Sequence, residues 1–294
     1  MSTENTNFDR YIDQNPIALV SNQKPQVKDT TFTAEELRDV NNIIVSIPDT
    51  APIVILYAPQ SSGKTMALLR MIRYLESQNY HVEAERVFRP ATDTHYQKMC
   101  DGLHTMAYSD YAPGANDTIS FMLAKVLDSS GHTVCQLLEA PGEHYFDGRQ
   151  EAVFPTYIEN IIGSQNRRTW VFFTEPDWGE SQAERTAYAN KIINMYMRIH
   201  QPNVAPDRVV FLFNQADRFP NLFTSDGKPN MTAFYNKIKG QYPDIFNKYI
   251  NKGLKRWMFG KYDFRAVPFS AGSFTPTADK SVKPKSVIRL YRVG

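Results

Sequence analysis

The sequence predicts an α/β fold, a mostly parallel sheet flanked by helices with one antiparallel strand pair. Three observations carry this reading. Apolar, β-branched or aromatic runs at Ile53–Tyr57, Trp170–Thr174, Val209–Phe213 and Phe264–Phe269 alternate with segments of helical periodicity. Runs without polar alternation belong to strands buried on both faces, which helices must cover. Two further β-rich runs, Phe121 to Leu127 and Thr133 to Leu138, are joined by Asp128-Ser129-Ser130-Gly131, the composition of a hairpin turn. Finally, Ile53–Tyr57 stops at Ala58-Pro59, crosses a polar loop, and gives way after Lys64-Thr65 to Met66, Leu68, Leu69, Met71, Ile72 and Leu75 at helical spacing. That last stretch reads strand, loop, helix, and the other elements are organised around it.

At 294 residues the chain is long for one domain and short for two. We divide it into a polar arm plus helix (1–50), a principal domain (51–272) with an insertion at about 80–117, and a tail (273–294). The arm, rich in Asn, Gln, Thr and Pro, is expected to dock locally or stay mobile. Thr33-Ala34-Glu35-Glu36 spells a capping box, and Leu37, Val40, Ile43 and Ile44 follow at helical spacing up to Pro48. Tyr80 to Pro90 suggests an extra strand, and Tyr96, Met99, Cys100, Leu103 and Met106 a short helix after it. Later helices are expected around Phe154–Ile162, in Ser181–His200 and in Met231–Asn251. The tail holds Pro276, Pro284 and several lysines, so a closing helix there is expected to be absent or truncated.

A formal net charge of +2 with well-mixed charges offers no bulk attraction for nucleic acid or an anionic membrane, so neither is expected as a partner. No stretch approaches the roughly 20 apolar residues of a membrane span. The polar N-terminus lacks an apolar signal core, and Cys100 and Cys135 lack ligand spacing, so free thiols in the cytoplasm are expected. The six histidines form no metal pattern in the sequence.

The loop after the first strand reads AxxxxGKT, against the phosphate-binding pattern GxxxxGK[ST], with Ala58 at the first glycine. A phosphate chain needs inward-pointing backbone N–H groups at a helix N-terminus, a glycine for close approach, a lysine for charge and a hydroxyl for Mg2+. Gln60, Ser61 and Ser62 would present the backbone, and Gly63, Lys64 and Thr65 supply the rest. Residues after the later strands then spell Glu139-Ala-Pro-Gly142, Asn214-Gln215-Ala-Asp217 and Ser270-Ala271-Gly272. An acid beside the phosphate loop can hold Mg2+, and Gly142 can turn an N–H toward a γ-phosphate. Asp217 can accept from guanine N1 and N2, where adenine presents an acceptor at N1. Asn214 can brace base and loop, and the Ala271 N–H can reach guanine O6. Taken singly, each residue has a plainer use as a strand-end acid, turn or cap. Their order joins them.

That order resembles the P-loop small-GTPase-like domains of the translation-factor and Ras-like class, whose elements are DxxG, NKxD and SAK, over roughly Ile53 to Gly272. The resemblance implies GTP/GDP and Mg2+ as ligands, with Thr65, Glu139 and a switch threonine, Thr118, around the metal. It implies a slow GTPase acting as a switch, with a protein partner at the switch loops or the 80–117 insertion. A structural subunit holding nucleotide in a degenerate site and a P-loop ATPase remain the alternatives. The sequence departs from the pattern at Ala58, Glu139, Gln215 and Gly272. Where related enzymes carry glutamine or histidine after DxxG, this chain has Glu143 and then His144, so Gly142, Glu143 and His144 are its candidate catalytic residues.

Overall fold

The computed structural model describes residues 32–60, 62–109, 121–146, 154–174, 189–192, 194–195, 207–242, 264–270, 274–276 and 282–284. Among them the strands β1 (Ile53–Tyr57), β2 (His81–Ala84), β3 (Met122–Leu127), β4 (Thr133–Glu139), β5 (Arg168–Thr174), β6 (Arg208–Phe213) and β7 (Phe264–Pro268) form one sheet in the order β2-β3-β4-β1-β5-β6-β7. β1 runs parallel to both β4 and β5, β5 to β6, and β6 to β7. The expected hairpin joins β3 to β4; the Asp128 carboxylate accepts from the amides of Ser130 and His132, and Gly131 takes φ +81°. The extra strand, β2, pairs antiparallel with the other side of β3, so β3 is the strand that runs against the rest.

Helices α1 (Ala34–Arg38), α2 (Lys64–Ser77), α3 (Thr94–Tyr108), α4 (Gly142–Tyr145), α5 (Thr156–Gly163) and α6 (Met231–Gln241) accompany the sheet. The aromatic strands fill the interior. Tyr57, Trp170, Phe172, Phe173, Phe211 and Phe213 are fully buried, and Tyr57 makes ring contacts with Trp170, Phe172 and Tyr145. Successive residues of β5 are buried on both faces, which is why its sequence shows no alternation. Because β1 and β4–β7 share a direction, their carboxyl ends lie along one edge, where α/β sheets bind ligands.

The N-terminal helix is shorter than its periodicity suggests. The capping box is present, with Glu36 N donating to Thr33 Oγ1 and Thr33 N to Glu36 Oε2. The helix stops at Arg38 because the Asp39 side chain accepts from Asn41 N and opens a 3-10 turn over Val40–Asn42, leaving Leu37 and Ile44 exposed. Glu36 also serves a tertiary role. The buried Arg89 guanidinium donates to both Glu36 oxygens (2.8 and 2.9 Å), to Asp93 Oδ2 (2.9 Å) and to the Ile44 carbonyl (2.7 Å). Arg89 thereby ties the N-terminal segment to the start of the insertion, and it is committed to those partners rather than to the sheet edge. Asn41 in turn accepts from Thr156 N and Oγ1 at the start of α5, which has no capping side chain of its own.

Cys100 is buried and Cys135 half-buried, and both are free thiols, with burial pushing Cys100 up to about 11. The arm (1–31), most of Ser181–His200 and residues 243–251 lie outside the described residues. In the tail, Phe274–Pro276 pairs antiparallel with Val282–Pro284. Among the described residues no helix is long and apolar enough to cross a membrane.

Candidate functional site

The loop between β1 and α2 is built on Gly63, which takes φ +82° and ψ +19° as the residue that starts the helix. A β-carbon there would be strained and would stand 3.3 Å from Asn214 Nδ2. Gly63 has no side chain with which to cap α2, which suits a helix start whose first-turn amides face an anion. Ala58 lies outside the left-handed region, where among non-glycine described residues only Asn79 and Gln215 are found, so alanine at this position carries no backbone strain. Lys64 is folded beneath the loop. Its ammonium donates to the carbonyls of Ala58 (3.1 Å) and Pro59 (2.8 Å), and Ser62 Oγ donates to the Pro59 carbonyl (2.8 Å). Gln60 is exposed on the loop's outer side, and Ser61 lies outside the described residues.

Glu139 ends β4 opposite Leu56 of β1, which brings its carboxyl group to the start of α2. Oε1 accepts from Thr65 Oγ1 at 2.5 Å, whereas Oε2 is buried and has no hydrogen-bond partner among the described residues. Burial pushes this carboxyl up to about 8, against the opposing pull of the Thr65 hydrogen bond and the Lys64 charge. Burial likewise lowers the Lys64 ammonium, while Glu139 and Glu143 oppose that shift. A buried oxygen with no donor among the described residues, beside a threonine hydroxyl, is what a hard divalent cation would satisfy. The residues present fit Mg2+. The extra methylene of glutamate over aspartate does not stop the carboxylate reaching Thr65.

Gly142 opens α4 directly against the loop. A β-carbon on it would lie 2.1 Å from Gln60 N and 2.3 Å from Pro59 C, so the two backbones touch where a side chain has no room. The next two residues part company. Glu143 is exposed and close enough to Lys64 to influence its charge. His144 turns inward, with Nδ1 2.7 Å from Tyr157 Oη and its ring among Phe32, Phe121 and Tyr157. To serve at the loop it would have to leave this pocket.

The buried imidazole has a consequence for acid stability. Desolvation lowers His144 from 6.5 to about 4, so at intermediate pH the unfolded chain takes up a proton that the folded chain refuses. His144 therefore contributes stability that is present above about pH 6.5 and is lost as pH falls toward about 4, roughly 2–3 kcal/mol across that window. Urea midpoints from pH 4 to 7.5 are expected to fall less steeply toward acid in His144→Phe than in the parent. Equal slopes would contradict this account of His144.

On the other side of β1, the loop after β6 is fastened to the phosphate-type loop. Asn214 N donates to the Thr174 carbonyl, and Asn214 Nδ2 donates to the Ser62 carbonyl at 2.8 Å. Gln215 takes the left-handed conformation (φ +50°, ψ +39°), and its Oε1 accepts from Arg218 Nη1 at 2.8 Å. A guanidinium thus stands beside the residue that replaces the lysine of NKxD. Asp217 is exposed in the turn Ala216–Arg218, and its carboxylate has no partner among the described residues. The Ala216 amide donates to the Phe269 carbonyl (2.9 Å), which brings the end of β7 and the buried Ser270 alongside. Ala271 and Thr118 lie outside the described residues. Sequence reasoning missed Arg218, although its spacing from Gln215 was visible, and the Tyr157 hydroxyl that holds His144, for which no local signal exists. It also missed Tyr145, whose buried hydroxyl has no partner among the described residues and whose ionisation burial and the nearby Tyr57 and Glu139 disfavour.

Fold and site together define a P-loop α/β domain, small-GTPase-like in the order of its strand-end loops. No family model and no curated protein matches the sequence. Solved structures similar to the chain include nucleolar GTP-binding protein 1 from Plasmodium falciparum (12% identity, 78% of this chain and 81% of that chain, TM-score 0.37). Others are the signal recognition particle receptor SRb-GTP/SRX complex from Chaetomium thermophilum (11%, 78% and 95%, TM-score 0.36) and the GTP-bound Ski7 GTPase-like domain from S. cerevisiae (10%, 82% and 45%, TM-score 0.38). The class rests on strand order and loop geometry.

Proposed function

We propose that the chain binds a guanine nucleotide with Mg2+ and hydrolyses GTP slowly, acting as a cytoplasmic molecular switch. The observation that carries this reading is the hydrogen bond from Asn214 Nδ2 to the Ser62 carbonyl, which couples a base-reading loop to a phosphate-binding loop. A solvent-facing carboxylate at Asp217, three residues on, suits the two donors of guanine and repels the N1 acceptor of adenine. Lys64 and the α2 amides would face the β- and γ-phosphates, with Ala58 and Gln60 to Ser62 supplying the loop backbone and Ser270 and Ala271 closing on the base. Thr65, Glu139 and Thr118 would hold Mg2+, which when bound neutralises charge on the phosphate oxygens. GTP is expected to bind more tightly than ATP by calorimetry. Asp217→Asn is expected to weaken GTP and favour xanthine nucleotides, whose position 2 is an acceptor. Equal affinity for GTP and ATP in the parent would sink this reading and favour the ATPase alternative.

Hydrolysis is expected to be slow. Glu143 places a carboxylate near Lys64, where attacking water must be oriented beside a γ-phosphate, and like charges there raise the barrier. His144 is engaged with Tyr157, and Arg89 with Glu36 and Asp93, so neither stands ready at the loop. We expect roughly 10⁻⁴ to 10⁻² per second in single-turnover assays, and faster turnover in Glu143→Gln. Several turnovers per second in the parent, or no response to the substitution, would contradict this. No turnover in either protein would favour a subunit that keeps its nucleotide. The insertion carrying β2 and α3, together with the Gly142 loop, is the proposed surface for a protein partner.

A further inference from the structure

Away from the loops, the fold assembles a different set of donors. α2 ends at Ser77, and a tight turn reverses the chain, with Asn79 left-handed at φ +64° and Tyr80 N donating to the Leu75 carbonyl. This turn returns His81, the first residue of β2, alongside Glu76 in the last turn of α2. α3 packs across α2 and delivers His104 to the same place. One ligand atom from each of Glu76, His81 and His104 lies within 4.8 Å of the other two. His104 Nδ1 and Glu76 Oε1 are already 3.4 Å apart. That matches the ~3.3 Å edge of a tetrahedron with bonds of ~2.0–2.1 Å to a central ion. The two imidazoles stack nearly parallel, with centroids 5.8 Å apart and planes 14° from each other.

We propose that Glu76, His81 and His104 form a binding site for a divalent transition metal ion, with Zn2+ the ion that its donors suit best. Two imidazole nitrogens and one carboxylate oxygen, with a position open to water, are a borderline donor set that favours zinc over the hard cations Mg2+ and Ca2+. The carboxylate is the anchored member of the trio. Its side chain is only 14% exposed, and Tyr108 Oη donates to its other oxygen at 2.6 Å, the kind of outer hydrogen bond that orients a metal ligand. The imidazoles are half-exposed, at 59% and 47%, so they are free to close the remaining gap by rotation. Glu83 Oε2 stands 3.9 Å from His81 Nε2 and adds negative charge, although Lys125 holds the other oxygen. Arg73 lies over the Tyr108 ring at 5.5 Å rather than against the donors. An ion here would staple the C-terminal end of α2, whose first turn carries Lys64 and Thr65, to both elements of the insertion.

The site is tested on the full chain with Zn2+ alone, by isothermal titration calorimetry and thermal unfolding without nucleotide. We expect one ion per chain and a raised unfolding temperature. His81→Ala and His104→Ala should each weaken binding by about 100-fold or more, and Tyr108→Phe, which only positions Glu76, by about 10-fold. Co2+ as a spectroscopic probe should give a visible band in the parent that is lost in His104→Ala. Both histidines are exposed, so these variants should keep the parent circular dichroism; Glu76→Gln, which preserves shape, gives a second route to the same loss. No saturable Zn2+ binding in the parent would overturn the proposal, as would binding that survives both histidine substitutions and is therefore held elsewhere. Because nucleotide is absent throughout, the outcome is separate from that of the GTP titration.

Discussion

Lys64→Ala is expected to abolish triphosphate binding, weakening GTP by at least about 100-fold. The ammonium already donates to the Ala58 and Pro59 carbonyls, so it is held in place before any ligand arrives and costs little to order. Charge-assisted hydrogen bonds contribute about 1.5–3 kcal/mol each, and this lysine is the compact positive charge that the loop offers two phosphates. The variant should still fold. It removes a buried cation, and the Glu139 carboxyl beside it is already driven toward its neutral form by burial. Calorimetric titration of GTP with Mg2+, alongside circular dichroism, checks both halves. Normal GTP affinity in a folded Lys64→Ala protein would remove the phosphate-loop assignment.

Among the described glycines, Gly142→Ala is expected to have the largest structural effect. Its β-carbon would sit 2.1 Å from Gln60 N and 2.3 Å from Pro59 C, and both obstacles are backbone that no rotamer change can move. Either the loop after β1 shifts or α4 lifts away. We expect a loss of about 3 kcal/mol or more in stability, read from the urea midpoint, together with weakened nucleotide binding. Gly131→Ala is the control, because among the described residues nothing stands within 4 Å of its β-carbon and only its positive φ opposes the change. If Gly142→Ala matched the parent in midpoint and affinity, the close approach of the two backbones would be wrong.

Much of the architecture was legible because its signals are local. The runs at Ile53–Tyr57, Trp170–Thr174 and Val209–Phe213 are strands, and the turn at Asp128–Gly131 makes the hairpin. Short-range chemistry decided them: β-branched crowding, a glycine at positive φ, a helix begun by Gly63. The first helix was misjudged in length because Leu37, Val40, Ile43 and Ile44 suggested a period, while Asp39 offered the backbone a stronger local hydrogen bond. At Gln215, which stands where the NKxD pattern has lysine, the fold places the Arg218 guanidinium on the side chain.

The order of loops along the chain determined by itself which residues meet at the carboxyl edge of the sheet, since parallel strands place their following residues on one side whatever the packing details. Glu139 beside Thr65 and Asn214 beside Ser62 follow from that rule. Only the tertiary structure decided where neighbouring side chains point. Glu143 and His144 are adjacent in sequence, yet one faces solvent and the other is buried against Tyr157, because the aromatic partners that enclose His144 come from other segments of the chain. For the same reason, two histidines that form no pattern along the chain, His81 and His104, join Glu76 in a cluster once α2, β2 and α3 pack together. Sequence spacing records neighbours within an element, and a metal site shared by three elements is set by the packing that brings them into contact.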